Sequence, residues 1–215
     1  MVEKKTTIYL IRHGECEGNK EKRVKGHTDF PLNEIGILQA NALALALKNK
    51  GIQHIYSSPL SRAATTAKII CKSLSIDYET REEFNNICLG IWENRKKSDI
   101  EKETPELWNT WLIHPDDLVL DGAETLDNVK KRSTDALDKI VAERAGQTFA
   151  IVGHRGILKP LLAGTLEVEK PYYWKFQLEN GSYTVLTYDS INRYCLTKLN
   201  YTNHLAGIPI FQEFD

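Results

Sequence analysis

Charge of either sign is not in excess in this sequence. Across 215 residues Lys plus Arg number 28 and Asp plus Glu number 29, for a net charge of −1. Such a chain has no general electrostatic reason to seek nucleic acid or an anionic membrane, so neither is expected as a partner, and any attraction for anions has to be local. Cysteine is scarce and unpatterned. Cys16, Cys71, Cys88 and Cys195 form no C-x-x-C pair and no zinc spacing. They read as free thiols of a reducing compartment. No histidine–carboxylate cluster shows ligand spacing, so neither a metal nor another cofactor is expected. Long apolar runs are missing too. The run after Lys4 and Lys5 is cut by Arg12, which is too short for a secretory signal, and nothing later could span a bilayer. The expectation is a soluble cytoplasmic protein with no repeats or linkers: one domain over 1–215, long enough to bury a real core, with a homodimer left open.

What is present is a regular alternation of strand and helix patterns. Thr6 to Ile11 is rich in β-formers and reads as a buried strand. Asn33 is a candidate N-cap for a helix to about Lys50, with Leu38, Ala42, Leu45 and Ala46 as its apolar spacing and Gly51 as its stop. Ile52–Ser57 reads as a strand. Ser58 or Ser61 then caps a helix that carries Arg62 in its first turn and ends near Leu74, and Ile76–Thr80 is a third strand. Between about 82 and 125 the alternation breaks. A charged run from Asn94 to Glu103 lies among Trp92, Trp108 and Trp111. This reads as a small helical cap over the strand ends, its charges a solvated face and its tryptophans the cap core. A helix to Ala145 follows, with Leu126, Val129, Leu137, Ile140 and Val141 on one face and Gly146 as its stop. Then come a strand at Thr148–Val152, a short helix at Ile157–Ala163 and a hairpin of Ser182–Asp189 with Tyr194–Asn200. The expected fold is α/β: a three-layer α/β/α sandwich with a mostly parallel central sheet and a small cap insertion.

The strand ends carry the chemistry. An open α/β sheet holds its ligands at the carboxyl ends of its strands. There the sequence places Arg12, His13 and Gly14 after the first strand, Arg62 after the second, and His154 after the fourth. Arginine offers a planar fork for phosphate oxygens, histidine a ring nitrogen able to act as nucleophile, and glycine a close approach of phosphate to backbone. Two arginines and two histidines around one point suit a phosphoryl group, whose transfer is mostly positioning and charge stabilisation.

Six ordered blocks resemble the histidine phosphatase superfamily, which includes the cofactor-dependent phosphoglycerate mutases. They are Arg12-His13-Gly14-Glu15 with Asn19; Gly26 to Leu32 with Gly36 and Gln39-Ala40; Ser57 to Ala63 with Thr66-Ala67; Gly90-Ile91-Trp92-Glu93; Gly122 to Thr125; and Val152-Gly153-His154. The tail Asn200 to Leu205 resembles members of the phosphatase branch. The resemblance implies a metal-independent phosphomonoester hydrolase acting on a small phosphorylated metabolite. It also implies His13 as the nucleophile that becomes phosphohistidine. Arg12, Arg62 and His154 match the residues that hold the phosphoryl oxygens, and Asn19 a further donor. His27, in the loop after the first glycine block, is a candidate substrate contact. Glu15 reads as a hydrogen-bonding organiser of the site.

Two departures stand out. The family's general acid is a glutamate four residues before the glycine of the Gly-x-Trp-Glu block, and here that position is Asn86. An amide gives no proton. Four explanations are open: another acid, Glu83 or Glu124; a substrate with a good leaving group; a weakened or non-catalytic protein that keeps only the phosphate pocket; or an engineered substitution. The second departure is Arg155, where members usually have a small residue; it either adds a phosphate contact or points outward. The runner-up activity is a phosphoglycerate mutase. Its second anionic group would call on Arg95, Lys96, Lys97 and Arg155, although the cap looks short for that branch.

Overall fold

The computed structural model describes residues 4–209. Side-chain alternation in the first strand decides the layering. In β1 (Thr6–Arg12) Ile8 and Leu10 enter one apolar cluster while Tyr9 and Ile11 enter another. Successive side chains of a strand face opposite ways, so a strand that is apolar on both faces needs cover on both. The cover on one face is α2 (Glu34–Leu47) and α3 (Ser61–Leu74); on the other it is α6 (Leu126–Glu143), α7 (Arg155–Thr165) and the segment before α6. A short α1 (Glu17–Lys20) follows β1.

The sheet is completed by β2 (His54–Ser57), β3 (Tyr78–Thr80), β4 (Thr148–Gly153), β5 (Tyr183–Asp189) and β6 (Arg193–Tyr201), in the order β3-β2-β4-β1-β5-β6. The first four are mutually parallel, and the β5–β6 hairpin runs antiparallel at the edge beyond β1. The register pairs Arg12 with Gly153 and Ser57 with Val152, so three strands end in one row. Pairing continues past those ends: His13 donates to the Gly153 carbonyl and Ser58 to the Val152 carbonyl, each at 3.0 Å.

The helix after Asn33 turns a different face to the core from the one its spacing suggests. Asn33 caps it by accepting from Gly36 N–H at 2.9 Å, as expected. The buried residues, however, are Gly36, Gln39, Ala40, Leu43, Ala44 and Leu47, while Leu38 and Leu45 are 55% and 73% exposed. Apolar residues cover both sides of this helix, so the pattern alone did not fix the face. Its orientation is set at its start, where Gly36 touches Glu15: a Cβ on Gly36 would sit 1.9 Å from the Glu15 carbonyl oxygen.

Between β3 and α6 lie α4 (Lys97–Glu103) and α5 (Pro105–Ile113), with three 3-10 turns. Trp92, Trp108 and Trp111 are buried in the core they share with α6 and α7. Only Ile100 of α4 is buried, and most of the charged run faces solvent. Among the described residues no helix is long and apolar enough to cross a membrane.

Candidate active site

His13 stands on the first residue beyond β1, fully buried. Its Nδ1 lies 2.6 Å from the Gly14 carbonyl oxygen. A carbonyl only accepts, so Nδ1 carries the proton and Nε2 a lone pair. His154 caps α7, which begins two residues earlier than the sequence suggests. Arg62 Nε donates to His154 Nδ1 at 3.2 Å, which leaves the proton on Nε2, 2.8 Å from Ser58 Oγ. The two imidazole rings stand 4.9 Å apart. Burial, then the charges of Arg62 and Arg12, hold the His13 pKa well below the ordinary imidazole range. Burial and Arg62 do the same to His154. Both rings are therefore neutral.

The arginines are fixed by carbonyls. Arg62 is fully buried in the first turn of α3 and donates to the Thr28 and Gly26 carbonyls, each at 3.0 Å. Arg12 Nη1 donates to the Leu178 carbonyl at 2.6 Å. The stretch before β5 also braces the loop after β1, because Asn180 Nδ2 and Gly181 N–H both donate to the His13 carbonyl, at 3.1 Å each. Gly14 is also packed tightly against α2. A Cβ there would stand 2.4 Å from the Gly36 carbonyl oxygen, so the residue is small to let α2 dock against the loop.

A cleft opens at this end of the sheet. Arg12, His13 and His154 line it, with Asn86 and Arg155, and Trp92, Trp111 and Tyr173 form apolar wall. Asn86 Nδ2 donates to the Gly26 carbonyl at 3.0 Å. Its Oδ1 is buried without a hydrogen-bond partner and points at Gly156, where a Cβ would lie 2.7 Å away. The loop that carries Asn86 is clamped by Arg132 of α6. That guanidinium donates to the carbonyls of Glu83, Asn85 and Asn86 at 2.7 to 3.0 Å and to both carboxylate oxygens of Glu124.

Several expected participants stand outside the cleft. Glu124 is held as a carboxylate by Arg132 and by Cys88 N–H, which outweigh its burial and lower its pKa. Glu83 is exposed and does not line the cleft. His27 is also exposed; its ring donates to the Asn86 carbonyl at 2.8 Å. Glu15 accepts from Asn33 Nδ2 at 2.7 Å, and Asn19 Oδ1 accepts from the Cys16 N–H at 3.1 Å, so both organise the loop after β1. Arg95 pairs with Glu103 away from the cleft. Sequence reasoning missed Ser58, Lys25, Arg132 and Asn180. Lys25 precedes Gly26 in a recognised block and was the most accessible of these. The role of Asn180 depends on β5 lying beside β1, which nothing local encodes.

Comparison with known proteins agrees with this geometry. A family described as the histidine phosphatase superfamily, branch 1, matches residues 8–201. Phosphoserine phosphatase 1 of Hydrogenobacter thermophilus is 30% identical over 93% of this chain and 94% of its own length. A protein named probable phosphoglycerate mutase GpmB from Yersinia pestis is 32% identical over 84% of each. A phosphoserine phosphatase variant from Entamoeba histolytica, solved with phosphoserine, superposes with a TM-score of 0.83 at 30% identity, covering 93% of this chain and 99% of that one. The chain belongs to the histidine phosphatase superfamily, branch 1.

Proposed function

We propose that the protein is a phosphomonoester hydrolase in which His13 Nε2 takes the phosphoryl group of a small phosphorylated metabolite. The observation that carries this reading is the bond from His13 Nδ1 to the Gly14 carbonyl, which keeps the lone pair on Nε2 in a neutral, buried ring. In the first step that lone pair forms the N–P bond while the P–O bond to the alcohol breaks. Arg12 and Arg62 balance the charge on the phosphoryl oxygens, and His154 holds Arg62 in place. The departing oxygen takes its proton from water, since Asn86 has none to give. In the second step water attacks phosphorus, the N–P bond breaks, and phosphate leaves. No residue in this scheme calls on a metal.

Rapid quenching during turnover of nitrophenyl phosphate tests the scheme. With the quench made in alkaline denaturant in place of acid, it should trap about one phosphate per chain in an acid-labile, alkali-stable linkage, and His13→Ala should lose both the linkage and the turnover. Near wild-type phosphate release by His13→Ala would end the scheme. A second reading, a phospho-ligand-binding protein without turnover, rests on Asn86 standing where the family has its acid. Transfer to a second alcohol, as in a mutase, shares the first step and is separated by assaying phosphoglycerate interconversion against phosphate release.

A further inference from the structure

The outward face of α2 carries a pattern of its own. Glu34, Leu38, Asn41, Leu45 and Lys48 follow one another at steps of four, three, four and three residues. Such steps keep to one side of a helix, so the five form a single stripe. All five are exposed, and the buried residues of α2 take the opposite side. Ile37, at the edge of the stripe, is exposed as well. Single apolar residues scattered over a surface need no explanation, but neighbours along one stripe do.

The stripe is its own complement when reversed. It reads acid, leucine, amide, leucine, base, and Asn41 is its midpoint, with Glu34 seven residues before and Lys48 seven after. A second copy laid antiparallel, about a twofold axis at Asn41, sets Glu34 opposite Lys48 at both ends. The same axis sets Leu38 opposite Leu45 on both sides of the centre. A parallel copy would set Glu34 against Glu34 and Lys48 against Lys48. A partner whose surface carries one sign of charge would match one end and repel the other. The steps of three and four are those of a seam between helices crossing at about 20°, and one polar residue in such a seam fixes its register.

We propose that α2 is a self-association surface on which a second copy of this chain docks antiparallel, with Glu34 facing Lys48 and Leu38 facing Leu45. Because the contact is twofold, the same patch serves both copies and the assembly closes as a dimer. No residue of α2 is among the described residues that line the cleft, so the association is independent of the reaction argued above. The stripe spans about 21 Å of one helix, which is small for an interface. The dimer is therefore weak, with a Kd between about 10 µM and 1 mM, and a dilute chain is monomeric.

Sedimentation equilibrium of the full chain, from about 5 µM to 1 mM at low salt, tests the surface. The wild type should show a monomer–dimer equilibrium. Glu34→Lys and Lys48→Glu should each raise the Kd by about threefold to thirtyfold, because each sets like charges together at both ends. In the E34K/K48E variant the pairs re-form with their signs exchanged, and the wild-type Kd should return. That return is diagnostic. Lysine at the start of a helix and glutamate at its end both oppose the helix dipole, so a merely structural effect would grow in the double variant instead of cancelling. Leu45→Glu, at an exposed position, should abolish the dimer while its thermal melt reports an intact fold. A wild type that stays monomeric at about 1 mM would overturn the proposal, whether the stripe meets solvent or the chain's own residues 210–215. So would a dimer that Leu45→Glu leaves unchanged, or single swaps whose losses the double variant does not recover.

Discussion

Asn86 differs from a glutamate by a proton it cannot give, and its hydrogen bonds sharpen the difference. With Nδ2 donated to the Gly26 carbonyl, the amide oxygen is left buried against Gly156. In the proposed scheme neither atom of this amide gives the departing oxygen a proton. Rates should therefore fall steeply as the leaving alcohol becomes more basic. Single-turnover comparison of nitrophenyl phosphate with an alkyl phosphate should show the aryl ester far faster, and Asn86→Glu should raise the alkyl rate by about 10²-fold with much less effect on the aryl ester. Similar aryl and alkyl rates in the wild type would mean that another donor is in place. Glu124 is poorly suited, being ion-paired to Arg132. The buried histidines make a second prediction. Their folded pKa values lie well below the value of about 6.5 at which unfolded imidazoles titrate, so below that pH the unfolded chain binds more protons. Stability from these two sites is thus complete above about pH 6.5 and declines as pH falls. Thermal melts between about pH 7.5 and 5 should show this decline, and His154→Asn should flatten part of it; an unchanged slope would mean the ring is not held neutral. Asn86 was legible in the sequence because six blocks framed it. Its hydrogen bonds were not, since Gly26, Arg132 and His27 reach it from 46 to 60 residues away.

Among the elements, α3 and α6 were readable almost to the residue, α3 from its candidate cap and α6 from its apolar stripe and the stop at Gly146. The helix α2 was readable in extent but not in orientation. Its apolar residues spread around the axis, and the docking of Gly36 on the loop after β1 chose between faces. The choice can be measured. Leu43 is fully buried against the sheet, so Leu43→Ala should cost about 2–5 kcal/mol in denaturant unfolding. Leu45 is mostly exposed, so Leu45→Ala should stay within about 0.5 kcal/mol. The reverse order would restore the face that the spacing suggests. The start of α7 illustrates a different limit. Gly153-His154-Arg155-Gly156 carries a weak helical signal, so the helix was expected from Ile157. The chain turns helical directly at Arg155, with His154 as its N-cap. That earlier turn places Arg155 among the residues that line the cleft.

For the molecule as a whole, the proposed phosphoryl pocket exists only when distant parts of the chain meet. His13 follows β1, Arg62 belongs to α3 beyond β2, His154 follows β4, and Arg62 is held by carbonyls of the loop at 26–28. A chain that has lost its central sheet has lost this pocket, so an oxyanion bound there stabilises the native state against global unfolding. At a vanadate or phosphate concentration about 100 times its Kd, the gain is about 2.7 kcal/mol. For a chain of this size each kcal/mol moves the midpoint by about 2–4 °C, so Tm should rise by about 5–11 °C. Arg62→Ala should lower the shift at the same ligand concentration, because a charged hydrogen bond to the anion is worth about 1.5–3 kcal/mol. The comparison uses the ligand-induced shift within each protein, which separates weaker binding from any loss of stability in the variant itself. Equal shifts in wild type and Arg62→Ala would place Arg62 outside the pocket, and its bonds to His154, Gly26 and Thr28 would then stand as structural bracing alone.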